Sequence, residues 1–150
     1  MRFLGVKNAA KKIVSPLVDL LGWYNYIIQT SEDRQPIWLV LTYHRVIIEK
    51  TEDPYRLGMC VTQQTFEKQI AFLREYFEPI QLGDGISRIQ QGLKIPRRAV
   101  SITFDDGYAD NLYNALPILH RYAVPATIFV ITGGLEIGSH MWWDRVIAAL

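Results

Sequence analysis

The sequence predicts an α/β fold built around a parallel sheet. Residues 37–43 and 99–104 are apolar runs of the kind found in buried strands. Between them, residues 63–76 carry apolar side chains at helical spacing. Polar residues follow both runs directly. Because ligands collect at the carboxyl edge of parallel sheets, we expect a site where these two strands end.

Length and composition indicate an ordinary globular domain. The chain has 150 residues, enough for one hydrophobic core. A formal net charge of +1, with 21% charged residues, gives no reason to expect nucleic acid as a partner. The single cysteine, Cys60, excludes an internal disulfide. No histidine is near it in sequence, so we expect a small half-buried apolar residue rather than a nucleophile.

The first 36 residues are predicted to be separate from a domain at 37–150, with the polar segment 31–36 as linker. Apolar residues recur at helical spacing in residues 1–30, with three lysines between them. Such a basic amphipathic helix can lie on an anionic membrane, and packing on the domain is the alternative. Asp19 breaks the apolar stretch, so no clear signal peptide is predicted. A cytoplasmic or membrane-associated location is therefore favoured over secretion, and no stretch is long enough to span a bilayer.

The run at 37–43 is predicted to be a strand covered on both faces, and it ends at His44. A histidine at the carboxyl end of a buried strand is well placed to line a site or to orient a carboxylate. The alternative is a strand-end histidine with a satisfied hydrogen bond. A charged, turn-rich loop follows over residues 48–59, and we assign no site residue to it.

Two helices and a short strand are expected next. Thr62 is predicted to cap a helix over 63–76. Residues 77–82 are predicted to form a strand and residues 83–93 a second helix that ends near Gly92. The side chains expected in the core are Phe66, Ile70, Leu73 and Phe77, then Ile86, Ile89 and Leu93.

The central strand, residues 99–104, leads directly into Asp105, Asp106 and Gly107. Gly107 allows a sharp turn with positive φ, and Asp110 is placed to cap the following helix. Two adjacent carboxylates repel each other unless a cation or a shared proton offsets the repulsion. The chemistry that suits them is metal-assisted hydrolysis, with one carboxylate on the ion and the other taking a proton from water. A solvated turn between strand and helix is the alternative.

A helix over 112–122 is predicted next, with Leu112, Leu116 and Leu119 inward and His120 on its surface or in packing. Residues 125–132 are predicted to form another buried strand. Further on, Trp142 is a candidate for stacking on a ligand, and burial in the fold is the alternative.

The stretch Thr-Phe-Asp-Asp-Gly-Tyr-Ala-Asp-Asn at 103–111, with Ala-Leu-Pro-Ile-Leu at 115–119 and Pro-Ala-Thr-Ile-Phe-Val at 125–130, resembles the polysaccharide deacetylases of the NodB-homology type, carbohydrate esterase family four. The resemblance implies a deformed (β/α) barrel that removes acetyl groups from a carbohydrate. It implies that Asp105 is the catalytic base and Asp106 a ligand of a divalent metal, commonly zinc. His44, Tyr108 and Trp142 are then candidates for lining the substrate site.

The family completes its metal site with a His-Ser/Thr-x-x-x-His motif on a later loop, and His44, His120 and His140 form no such pair. The family barrel usually needs about 200 residues or more, and residues 142–150 have the pattern of a helix without a stop signal. We therefore expect a partial barrel truncated at its carboxyl end. The alternative to an active deacetylase is a catalytically inactive domain of the same family.

Overall fold

The computed structural model of the protein describes residues 38–48, 59–134 and 145–146. All of them lie within one compact unit, 36–150. The predictions for residues 1–36, for most of the loop at 48–59, and for His140 and Trp142 fall outside the described residues. No helix in the described part of the chain is both long and apolar enough to cross a membrane.

The fold is an α/β arrangement around a central parallel strand. Strand β1 (Trp38–Tyr43) pairs in parallel with β5 (Ala99–Phe104) along its whole length, from Trp38 opposite Ala99 to Tyr43 opposite Phe104. Strand β4 (Glu78–Pro79) pairs with the start of β5 and β6 (Ala126–Ile128) with its end. All six residues of β5 are buried, as the apolar run predicts. The parallel sheet predicted from the sequence is therefore confirmed.

Strand β1 departs from its prediction. Leu39 and Val40 are 36% and 45% exposed, so neither face of this strand is fully covered. Among the described strands β1 lies at the end of the sheet, with β5 as its neighbour. An edge strand has fewer elements packed over it than a central one, which explains why a continuous apolar run does not mean full burial here.

Helix α1 (Gln63–Tyr76) has the predicted bounds and the predicted cap. The Thr62 hydroxyl accepts a hydrogen bond from the Thr65 amide, which satisfies one of the free N–H groups of the first turn. Phe66, Ile70 and Leu73 are buried, as their spacing predicts. Phe66 stands edge-on to Tyr43, with ring centroids 5.0 Å apart, so the helix packs under the end of β1.

The second helix, α2 (Leu82–Gln90), is present, but its predicted core face is wrong. Ile86, Ile89 and Leu93 are 43%, 57% and 53% exposed. The buried residue of this helix is Gly85, which lies so close to the Trp38 indole that a Cβ would collide with the ring. Because the helix approaches the sheet through its glycine, the isoleucines are turned outward.

The helix predicted at 112–122 is two segments, a π-helical turn at Asn111–Ala115 followed by α3 (Leu116–Tyr122). The Leu116 amide donates to the Asn111 carbonyl, five residues back, and this wider turn shifts the buried face. Leu112 and Leu116 are exposed, contrary to prediction, whereas Leu119 is buried as expected. The residues that pack inward are Asn111, Ala115, Ile118 and Leu119. Pro117 falls in the first turn of α3, where a missing N–H costs little.

Two short strands were not predicted. Strand β2 (Arg45–Ile47) pairs in parallel with β3 (Cys60–Thr62) in a separate two-stranded sheet. Cys60 is half-buried, as expected. The Asn114 amide donates to the Val46 carbonyl at 2.7 Å, so the π-helical turn is joined to β2. Three residues are too few for a periodic pattern, which is why the sequence does not show these strands.

Candidate active site

The paired carboxylates lie at the carboxyl end of β5, where the ends of three strands are joined. The Asp105 amide donates to the Tyr43 carbonyl at 2.9 Å, which fixes the end of β5 to the end of β1. The Phe129 amide donates to the Phe104 carbonyl at 2.8 Å, which fixes the residue after β6 to the same point. The loop that begins at Asp105 therefore leaves from a well-anchored position.

The loop turns through two successive residues with left-handed backbone. Asp106 has φ +70° and Gly107 has φ +68°. Glycine adopts this conformation freely, as predicted for Gly107, and aspartate tolerates it better than most residues. A Cβ on Gly107 would lie 2.9 Å from Cγ1 of Val130, so the segment after β6 also crowds this turn. The turn therefore needs glycine for its backbone angles and for the space around it.

Two of the predicted site residues, His44 and Asp105, lie close to each other. The Nε2 atom of His44 is 3.9 Å from Oδ2 of Asp105, and their side chains are 30% and 41% exposed. The pair is open to solvent, so its electrostatic interaction is screened. His44 lies beside the Asp105 carboxylate, and the distance between the two atoms is longer than a hydrogen bond.

Asp110 stands at the N-cap position of the π-helical turn, as predicted, but its side chain makes no capping hydrogen bond. Its Oδ2 atom accepts a hydrogen bond from Arg45 Nε at 2.8 Å, and its Oδ1 atom accepts from the Val46 amide at 3.3 Å. The Asp110 carboxylate therefore binds two residues of β2 instead of the helix that follows it. Partial burial lowers the pKa of Arg45, but the hydrogen bond and charge of Asp110 raise it by more, so the net shift is upward.

Tyr108 lies next to this ion pair. The Arg45 guanidinium carbon is 4.9 Å from the centre of the Tyr108 ring, within the range of a cation–π contact. Tyr108 is half-buried, and its role in lining a substrate site stays a prediction. His120 is exposed on α3, away from the strand ends, in line with the surface position expected for it.

Sequence reasoning did not identify Arg45 or Asn111. Arg45 follows His44 directly but meets Asp110 across a separation of 65 residues. Asn111 is 2% exposed, and neither polar atom of its side-chain amide has a hydrogen-bond partner among the residues that the structure describes. A buried asparagine without partners is costly, and the π-helical turn that carries it is a feature often found at functional sites. The sequence feature that could have pointed to Asn111 is its position close after the Asp-Asp-Gly turn.

The described residues do not supply a complete metal site. Within 38–48, 59–134 and 145–146, no three histidine, cysteine, aspartate or glutamate side chains are grouped so that they could hold an ion. Zinc in proteins normally has three or four protein ligands. The two carboxylates of Asp105 and Asp106 therefore do not make up such a site with the other described side chains.

A cavity of about 560 Å³ lies between β1 and α1, apart from the carboxylates. Its lining is mostly apolar and comes from Leu41, Thr42, Tyr43, Thr65, Lys68, Gln69, Phe72 and Leu73. Neither Asp105 nor Asp106 lines it, so this cavity is separate from the candidate active site.

The sequence matches a known family over its second half. A family model described as Polysaccharide deacetylase matches residues 93–148, a range that includes Asp105 and Asp106. The Bacillus subtilis protein YxkH, whose name places it with polysaccharide deacetylases, is 30% identical over 132 residues. The poly-beta-1,6-N-acetyl-D-glucosamine N-deacetylases of Staphylococcus epidermidis and Staphylococcus aureus (strain N315) are 35% identical over 114 residues and 40% identical over 105 residues.

The fold of this chain is also similar to that of solved structures. The deacetylase PplD of Streptococcus pyogenes, in complex with acetate, superposes with a TM-score of 0.60 at 27% identity over 70% of this chain. IcaB from Ammonifex degensii superposes with a TM-score of 0.59 at 25% identity over 69% of this chain. The matches cover 79%, 67% and 63% of this chain for the three curated relatives, but only 44%, 37% and 36% of the relatives themselves. For the two structures, the matches cover 47% and 42% of the other chain. The chain thus spans less than half the length of each protein named here.

Proposed function

This chain belongs to the polysaccharide deacetylase family, whose members are hydrolases, and on that premise we propose that it carries the catalytic carboxylates of a carbohydrate deacetylase. The observation that supports this most directly is the position of Asp105. It stands at the carboxyl end of the buried central strand, beside Asp106 and 3.9 Å from His44. This is the edge of a parallel sheet where catalytic groups collect.

In the proposed reaction Asp105 is the base. Its carboxylate accepts a proton from a water molecule, whose oxygen then bonds to the carbonyl carbon of an acetyl group. The bond from that carbon to the sugar nitrogen or oxygen then breaks, the leaving atom takes up the proton from Asp105, and acetate and the deacetylated sugar are released. His44, whose Nε2 atom is 3.9 Å from Oδ2 of Asp105, is proposed to orient the Asp105 carboxylate. Tyr108 and Trp142 are proposed to line the sugar site.

Asp106 is proposed to supply one ligand to a divalent metal, with zinc as the ion to test first. The other ligands would come from outside the described residues, because those described do not form a three-ligand group. The sheet is proposed to be part of the family's deformed (β/α) barrel. In support of this, β1, β4, β5 and β6 form one parallel sheet, and β4, β5 and β6 each follow a helix, as in such a barrel.

The proposed substrate is an N-acetylated glucosamine polymer. Its support is the likeness to the two staphylococcal enzymes, which are named for poly-beta-1,6-N-acetyl-D-glucosamine. Membrane contact by residues 1–30 and a cytoplasmic or membrane-associated location remain separate proposals. Sedimentation of the protein with anionic vesicles at low and high salt would test the contact, since electrostatic binding weakens with salt.

The test is acetate release from N-acetylglucosamine oligomers, with and without added zinc. Asp105→Asn should reduce the rate by at least about 100-fold, because it removes the base while keeping the side-chain shape. Asp84→Asn, which changes an exposed carboxylate on α2, is the matched control and should leave the rate unchanged. Equal rates in the Asp105→Asn variant and the parent chain would refute the assignment.

The second candidate is a catalytically inactive domain of the same family. The sequence favours it by containing no His-Ser/Thr-x-x-x-His motif. No acetate release from a folded chain saturated with zinc would support this candidate over the first.

A further inference from the structure

Three successive residues, from the last residue of β1 to the first of β2, contact the loop that carries the two carboxylates. Tyr43 accepts a backbone hydrogen bond from Asp105, and His44 approaches the Asp105 carboxylate. Arg45 then reaches the far side of the loop, where Nε donates to Asp110 at 2.8 Å. The segment after β1 therefore contacts the loop both where it begins and beyond its turn.

The contacts of Arg45 are of two kinds that act together. Its Nε donates to a carboxylate that is only 12% exposed, so this ion pair is better shielded from solvent than a surface pair. The guanidinium also lies over the Tyr108 ring at 4.9 Å. A planar guanidinium can hold both partners at once, whereas a lysine could not do so with the same geometry. We name Arg45, Tyr108 and Asp110 the clamp.

The loop inside the clamp contains a strained residue. Asp106 has φ +70°, a conformation that costs a non-glycine residue free energy and persists only where the surroundings impose it. Residues 105 and 108 on either side of the turn are both held, Asp105 by β1 and Tyr108 by Arg45. The strained residue Asp106 thus lies in a four-residue turn whose last residue, Tyr108, belongs to the clamp.

We infer that Arg45 and Asp110 are positioning residues that hold Asp106 in its left-handed conformation and thereby fix the direction of both carboxylates. Neither residue needs to touch the substrate. The inference rests on the proposed function only in giving the loop a catalytic purpose. The contacts of the clamp do not depend on that function. Sequence alone gives no sign of it, since Asp110 looks like a helix cap.

The experiment is backbone NMR on the whole 150-residue chain and on two variants. Arg45→Met removes the charge and the flat head group but keeps the aliphatic stem. Asp110→Asn keeps an acceptor for the Val46 amide and removes the ion pair with Arg45. The matched control is Arg121→Met, which breaks an exposed arginine–carboxylate pair with Glu67 elsewhere on the surface.

The amide order parameters of Asp106 and Gly107 should fall from about 0.85 to below about 0.6 in Arg45→Met, with a smaller fall in Asp110→Asn. The three-bond coupling and Cα shift that report positive φ at Asp106 should be lost or averaged. Order parameters in α1 should not change, which separates a local loss of positioning from general destabilisation. The Arg121→Met variant should match the parent chain at every one of these positions.

The inference is overturned if Asp106 and Gly107 stay as rigid as in the parent chain, and Asp106 keeps its left-handed signature, in a folded Arg45→Met variant. Should that variant fail to fold, the same result in Asp110→Asn would overturn it. The readout needs no acetyl hydrolysis. An Asp105→Asn variant that still deacetylated would refute the proposed function and leave the clamp standing.

Discussion

Replacing Gly107 with alanine should destabilise the domain more than the same change at Gly92, the other glycine with a left-handed backbone among the described residues. Two effects add at this residue. The backbone has φ +68°, and the new Cβ would lie 2.9 Å from Cγ1 and 3.3 Å from Cβ of Val130. Rotation of the valine side chain moves Cγ1 but not Cβ, so the contact at 3.3 Å would remain.

Gly92 separates the two effects. It has nearly the same angle, φ +66°, and no atom within 4 Å of a built Cβ. A left-handed alanine costs about 1–2 kcal/mol, and the lower entropy of the unfolded chain returns about 0.4–1 kcal/mol of this. We therefore expect Gly92→Ala to lower the free energy of unfolding by about 1 kcal/mol. Gly107→Ala should lower it by a further 1–3 kcal/mol or so, the usual cost of overpacking.

Urea denaturation followed by circular dichroism measures both variants. Gly83→Ala provides the opposite control, because Gly83 lies inside α2 with ordinary backbone angles and open space around its Cβ position. That change should stabilise the domain by about 0.5–1 kcal/mol through helix propensity. Equal losses in Gly107→Ala and Gly92→Ala would show that Val130 does not crowd the turn, and the packing described for the loop would be wrong.

Three further predictions concern the metal, the pH dependence and a buried amide. The chain should bind zinc weakly by isothermal titration calorimetry, and Asp106→Asn should weaken binding further while changing stability little, because asparagine also tolerates the left-handed backbone at this position; one-to-one binding with micromolar affinity would contradict the first part. Burial raises the pKa of Tyr43, so the free energy of unfolding should fall as the pH rises above about 10, and the fall should be smaller in Tyr43→Phe. The sign follows because the unfolded chain loses the phenol proton first, and identical pH profiles for the two proteins would contradict it. Asn111→Leu should raise the free energy of unfolding by about 1 kcal/mol in urea denaturation, since it removes a buried amide that has no partner in the described part of the chain; a loss of similar size would show that the amide is satisfied.

The sequence was a good guide wherever structure depends on neighbours in the chain. The bounds of α1 follow from Thr62 as cap and from apolar residues on one helical face. Strand β5 follows from an unbroken apolar run, and the positive φ of Gly107 from the need for a sharp turn after it. These features are set by local energies that a sequence pattern expresses directly.

The failures share a different cause. The outward face of α2 depends on the close approach of Gly85 to the Trp38 indole, across 47 residues of sequence. The exposed Leu112 and Leu116 depend on a single wide turn that shifts the helical register. In both cases an element was predicted correctly and its orientation was not, because tertiary contacts outweigh an amphipathic pattern as short as two or three turns.

The candidate site shows both situations within a few residues. Tyr43 lies opposite Phe104 in the parallel register, so the next residues, His44 and Asp105, must emerge side by side at the same sheet edge. Their proximity could therefore be predicted as soon as two apolar runs were taken as neighbouring parallel strands. The contact of Arg45 with Asp110 could not, because it depends on how the chain leaves two left-handed residues. A regular strand propagates its register to the residue that follows it, whereas a strained turn redirects the chain, and the long-range partners beyond such a turn have to be found from structure.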